Sequence, residues 1–140
     1  MGGFPPTRGE PLNRMRAEDF QQAIELFNNG AFLQCHDYFE ELIPFESGKD
    51  AEFYHGLMEL AAACYHLKQG NVFGARYLLT SAIDLIAPCR PFYLRIDVER
   101  LLAQIDHCRR LVATLDDDEE IGFNESHLPR INRVNESMGQ

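Results

Sequence analysis

A chain of 140 residues fits one domain and can bury a hydrophobic core without disulfides or a structural metal. Acidic residues outnumber basic ones 22 to 13, a net charge of -9 that repels phosphate backbones and anionic lipid surfaces, so nucleic acid and membrane are excluded as first expectations for partners. The four cysteines, Cys35, Cys64, Cys89 and Cys108, are scattered without a Cys-x-x-Cys pair and read as small core residues of a protein in a reducing compartment, the cytoplasm.

Residues 1–15, rich in proline and glycine, are expected to form an irregular arm ahead of a single helical domain over 16–115. The first helix is carried by Phe20, Ala23, Ile24 and Phe27, spaced i, i+3, i+4, i+7, and ends at Asn28-Asn29-Gly30. Phe32, Cys35, His36, Phe39, Leu42 and Ile43 form the stripe of a second helix that Pro44 stops, which sets His36 in the middle of an apolar face. Asp50 is the expected cap of a third helix, apolar on nearly every side, which runs to Lys68 and ends at Gly70. Its longest apolar stretch, within 57–67, is too short to cross a bilayer.

Asn71 can cap a fourth helix whose inner face is Val72, Ala75, Leu79, Ala82, Ile83 and Ile86, with Pro88 beyond its end. So short a connection makes the third and fourth helices antiparallel neighbours. A fifth helix is expected from Phe92 or Tyr93, with Leu94, Val98, Leu101, Ile105, Cys108, Val112 and Leu115 on its seam. No segment alternates with period two, so no sheet is expected. Tyr54, Tyr65, Tyr77, Phe92 and Tyr93 read as core aromatics that could also rim a groove. From Asp116 the acids Asp116 to Glu120 oppose the helix dipole, and residues 116–140 are expected to be an acidic, mobile tail.

The segment from Gly30 to Ile43 matches that from Gly70 to Ile83 at a forty-residue offset. The expected architecture is therefore all-α, a compact bundle of about five helices built from two antiparallel helical hairpins plus a fifth helix. The stretch Lys68 to Pro88 also resembles the second half of a tetratricopeptide repeat.

Chemistry-bearing residues concentrate in one place. His36 and Glu40 stack on the second helix, and Glu59 and His66 share a face of the third, with His55 one turn back. If the two faces met, His36, Glu40, Glu59 and His66 would form a polar cluster. It could hold a metal from facing helices, act as a buried acid–base pair, or simply fix helix packing as a hydrogen-bonded network. No cofactor, nucleophile or oxyanion donor can be named.

Three blocks in order, Phe32-x-x-Cys-His36-Asp-x-Phe-Glu40-Glu41-Leu, Gly56-Leu-x-Glu-Leu-Ala-Ala-Ala-x-Tyr-His66-Leu, and Gly70-Asn71-x-x-Gly74-Ala75-x-x-Leu-Leu79, resemble the domain-of-unknown-function family 309 over about residues 20–110. The chain departs from that pattern at Ile43-Pro44, where the family often has Trp and Arg, and at Glu59, where it often has Gln. The resemblance implies a small all-helical fold and brings no established activity. The expected function is a protein-interaction or ligand-binding module without catalysis, its partner another protein or a second copy. The alternative is a metal-dependent or acid–base, hydrolase-like enzyme centred on the His/Glu cluster.

Overall fold

The computed structural model describes residues 10–115 and 124–134, with side chains from residue 17. Five helices follow in order: α1 (Glu10–Asn28), α2 (Phe32–Leu42), α3 (Gly48–Lys68), α4 (Val72–Ile86) and α5 (Val98–Ala113). Each packs on the next, and the α3/α4 interface is the most extensive. The all-α, two-hairpin expectation holds. Helix α1 starts at Glu10, inside the segment expected to be irregular, while residues 1–9 lie outside the described residues.

The forty-residue repeat is a repeat of turn chemistry. Gly30 and Gly70 adopt φ of 83° and 81°, the left-handed conformation that ends a helix most cheaply at glycine. At the first turn Ala31 N–H donates to Leu26 O and Gly30 N–H to Phe27 O, at 2.9 and 3.0 Å. Forty residues on, Asn71 N–H donates to His66 O and Gly70 N–H to Leu67 O, at 2.8 and 3.0 Å. Both hairpins therefore close through the same pair of helix-terminal bonds. Each second helix also ends in a 3-10 turn that contains proline, Ile43–Phe45 after α2 and Ala87–Cys89 after α4.

Local capping partly follows the sequence. Asn71 accepts Gly74 N–H at 2.9 Å, as expected of a cap. Asp50 does not cap α3; it lies in the first turn and accepts the Tyr93 hydroxyl, while Ser47 holds the cap position without a side-chain bond. The start of the fifth helix is also corrected. Residues 92–97 form a small antiparallel hairpin, β1 (Phe92–Tyr93) and β2 (Ile96–Asp97), and α5 begins only at Val98 with Asp97 as its cap. Strands of two residues are too short to show alternation in sequence, so the expectation of no sheet could not detect them. Leu94 is in the hairpin turn, 37% exposed, and not on the seam.

The core is aromatic at one end. Phe20 of α1 stacks on Tyr54 of α3 at 5.3 Å and meets Phe39 of α2 edge-on at 6.2 Å. Phe53 then meets Tyr93 of β1 at 5.0 Å, which ties the hairpin to α3. Gly56 marks the opposite flank of α3, where α4 comes so close that a Cβ would lie 2.7 Å from Ile86 Cγ1.

Residues 124–134, within the segment expected to be a mobile tail, pack against the bundle. They form a 3-10 turn at Glu125–His127 and then an extended strap that buries Ile131 at 1% exposure and bridges Ile96 to Arg133. Long-range bonds to α1, β2 and α5 hold this strap, and a reading of local polar content does not register them. The acidic run Asp116–Glu120 lies outside the described residues.

Candidate functional site

His36 does not lie at the centre of the apolar face. Helix α2 buries Phe32, Cys35, Phe39 and Leu42, and at about 100° per residue that stripe centres between Cys35 and Phe39. His36 falls at its edge, its side chain 28% exposed, with Nδ1 3.2 Å from Oδ1 of exposed Asp37. Glu40, one turn on, is exposed. Ligand-type atoms of His36, Asp37 and Glu40 lie within 4.8 Å of one another, so this surface group could take a divalent cation. All three ligands come from a single turn of one helix.

On α3 the two flanks have different neighbours. Tyr54, against Phe39, faces α2, whereas Gly56, against Leu85 and Ile86, faces α4. Glu59 and His66 follow Gly56 on the outer edge of the α4 flank, turned away from α2. Glu59 Oε2 pairs with His55 Nε2 at 2.9 Å, and its Oε1 is buried with no hydrogen-bond partner. His66 Nδ1 lies 3.2 Å from Asn71 Nδ2. Asn71 Oδ1 is already engaged by Gly74 N–H, so its amide donates and His66 Nδ1 accepts.

The four residues singled out by sequence therefore separate into local groups. His36 and Glu40 belong to one with Asp37, Glu59 pairs with His55, and His66 joins the α4 cap. Among the described residues no hydrogen bond or ion pair links the α2 group to Glu59 or His66. His55 brings the carboxylate–imidazole contact that the cluster was expected to make between helices, but makes it within α3.

The thiols are core residues. All four cysteines are free and buried. Burial pushes Cys35 and Cys108 up to about 12, and also raises Cys64, with Cys108 and Cys35 nearby adding to the effect. A thiol held protonated in this way is a poor nucleophile at neutral pH.

The surface of α4 presents what the sequence reading missed. Phe73 and Tyr77 are 70% and 76% exposed. With Thr80 and Asp84 they form one stripe at i, i+4, i+7 and i+11, opposite the buried Val72, Ala75 and Leu79. That spacing was legible in the sequence, had Tyr77 been placed by its register and not by its aromatic character. The stripe runs beside a groove of about 550 Å³ between α4 and α5. Ile83, Leu102 and Ala103 provide its apolar surface. Its rim carries both signs: Arg90 pairs with Glu99 at 3.2 Å, and Arg109 reaches Asp106 at 2.5 Å. The Arg109 hydrogen bond holds the Asp106 carboxyl below the usual carboxylate range.

By length and composition the window Val72–Cys89 is apolar enough for a membrane span, and one third of it is buried. Here it is α4 and its closing 3-10 turn, packed between α3 and α5.

No curated protein matches the chain significantly. A family model described as "Domain of unknown function (DUF309)" matches residues 20–78, from the first buried aromatic of α1 to the middle of α4. This segment includes both glycine turns, the His36 and Glu40 positions and Gly56, and so spans α2, α3 and the first half of α4. Over residues 20–78 the chain is thus similar to the DUF309 family, which is one of uncharacterised function.

Proposed function

We propose that this protein is a binding module without chemistry of its own, which takes an amphipathic helix of a partner protein in the groove between α4 and α5. The observation that carries the reading is the pair Phe73 and Tyr77, adjacent on one helix face and 70% and 76% exposed. Two large aromatics side by side beside an apolar-floored groove are the kind of anchor on which helix-in-groove recognition rests, since such residues dominate interface energetics. The rim charges of both signs suit a ligand with both signs on its flanks. The repeated hairpins support the tetratricopeptide-like reading of the scaffold, and four buried, unpaired cysteines support a reducing compartment such as the cytoplasm.

The test is affinity capture with the full chain and with a Phe73→Ser/Tyr77→Ser variant of matched helicity. A specific protein retained by wild type and by Phe92→Ser, and lost at least tenfold in the double variant, supports the groove. Equal retention by the double variant, or none by wild type, overturns it.

A second reading, a divalent-cation site at His36, Asp37 and Glu40, is favoured by the 4.8 Å grouping of their ligand atoms. Stoichiometric zinc binding in calorimetry, abolished by His36→Ala, would support it.

A further inference from the structure

The segment Leu128-Pro-Arg-Ile-Asn-Arg-Val134 carries two arginines and no acid, in a chain of net charge -9. Pro129 disfavours helix, and the β-branched Ile131 and Val134 suit an extended path. The structure lays this segment in a slot built by three separate elements. Asn28, at the end of α1, holds both backbone groups of Ile131: its amide donates to Ile131 O and its carbonyl accepts Ile131 N–H, each at 2.9 Å. Gln104 of α5 accepts Arg130 N–H at 2.8 Å. The small hairpin supplies the rest, with Asp97 N–H of β2 donating to Asn132 O at 2.9 Å and Val134 N–H to Arg95 O of the hairpin turn at 2.8 Å.

These contacts read the main chain. A side-chain amide that binds one residue's N–H and C=O together, beside an open strand edge, recognises any extended peptide. Specificity comes from the socket that takes Ile131 to 1% exposure, and from polar atoms that meet the flanking arginines. Arg130 donates to Asn28 O at 3.1 Å and Arg133 to the Gln21 side chain.

We infer that this slot is a peptide-recognition site for an extended, basic segment of a partner protein that carries a β-branched residue between arginines, and that residues 128–134 occupy it in cis as an autoinhibitory stand-in. It uses none of the residues of the α4 aromatic stripe, so its fate and that of the groove are decided separately.

The test uses the full chain. Ile131→Ser removes the socket residue and releases the strap, and a fluorescein-labelled peptide of residues 124–134 is then titrated by anisotropy. The variant is expected to bind the peptide saturably and at least tenfold more tightly than wild type, whose own strap competes. Adding Asn28→Ala to the variant is expected to abolish binding. Absence of saturable binding, or equal binding by wild type and variant, overturns the inference. Hydrogen exchange on the wild-type chain decides the matter should Ile131→Ser unfold. The Ile131 and Val134 amides are expected to exchange at least tenfold faster than those of Leu60 and Ala61 in α3, because the strap must leave while the bundle stays folded. Exchange at the same rate as the α3 amides would make the strap an inseparable part of the core and overturn the proposal.

Discussion

Gly56→Ala probes a close approach of α3 to α4. The new methyl would lie 2.7 Å from Ile86 Cγ1 and 3.0 Å from Leu85 Cβ, against a normal carbon–carbon contact of about 3.6 Å. Neither neighbour is the free end of a flexible side chain. Leu85 Cβ moves only with its backbone, and Ile86 is fully buried, so α3 and α4 must separate by roughly 0.5–1 Å, the difference between those contacts. Such overpacking costs about 1–3 kcal/mol, partly offset by about 1 kcal/mol from the better helix propensity of alanine. The net expectation is a loss of up to about 2 kcal/mol, read as a lower urea midpoint at unchanged m-value. A variant more stable than wild type would refute the account of Gly56 as the residue that lets the two helices touch.

The pH dependence follows from the cysteines. Burial raises Cys35 and Cys108 from 9.0 to about 12, so their contribution to stability is complete below pH 9 and declines as pH rises from 9 toward 12, by up to about 1.4 kcal/mol per pH unit for each thiol; urea melts between pH 8 and 10.5 measure it, and a flat profile would contradict it. Leu94 and Arg95 hold φ of 47° and 65° in a two-residue hairpin turn that favours Asn-Gly, so Leu94→Asn/Arg95→Gly is expected to stabilise by about 1–2 kcal/mol. A lower melting temperature for that pair would show that the two side chains pack more than their exposure suggests. His36→Ala should cost less than about 1 kcal/mol, because its partner Asp37 is exposed and screened; a loss of several kcal/mol by chemical denaturation would reinstate a buried role. Asn71→Ala removes the cap on Gly74 N–H and should cost about 1 kcal/mol by the same assay, with an unchanged midpoint counting against the cap.

What was legible in the sequence was the short-range physics. Helical spacing of Phe20, Ala23, Ile24 and Phe27 predicted a buried stripe and all four are buried. Glycines at 30 and 70 marked turns because few other residues end a helix in the left-handed conformation. The candidate site was less legible for a geometric reason. His36 and Glu59 each border an apolar stripe, and periodicity alone does not say which neighbour a border faces. Only the contacts of Tyr54 and Gly56 reveal that Glu59 flanks α4 and not α2. The strap was illegible because its main partner, Asn28, is 103 residues from Ile131 and its bonds are to backbone, which leaves no mark in side-chain pattern. Tyr77 was misplaced because aromatic character suggested core where register gave surface.

Photo-crosslinking from position 77 of the full chain, in the cells that make it, tests the binding reading most directly. A benzophenone side chain in place of Tyr77 should capture one discrete protein partner, and Phe73→Ser in the same chain should abolish the adduct. A discrete adduct unaffected by Phe73→Ser, or no adduct at all, would contradict the assignment of the α4 face and its groove as the site of function.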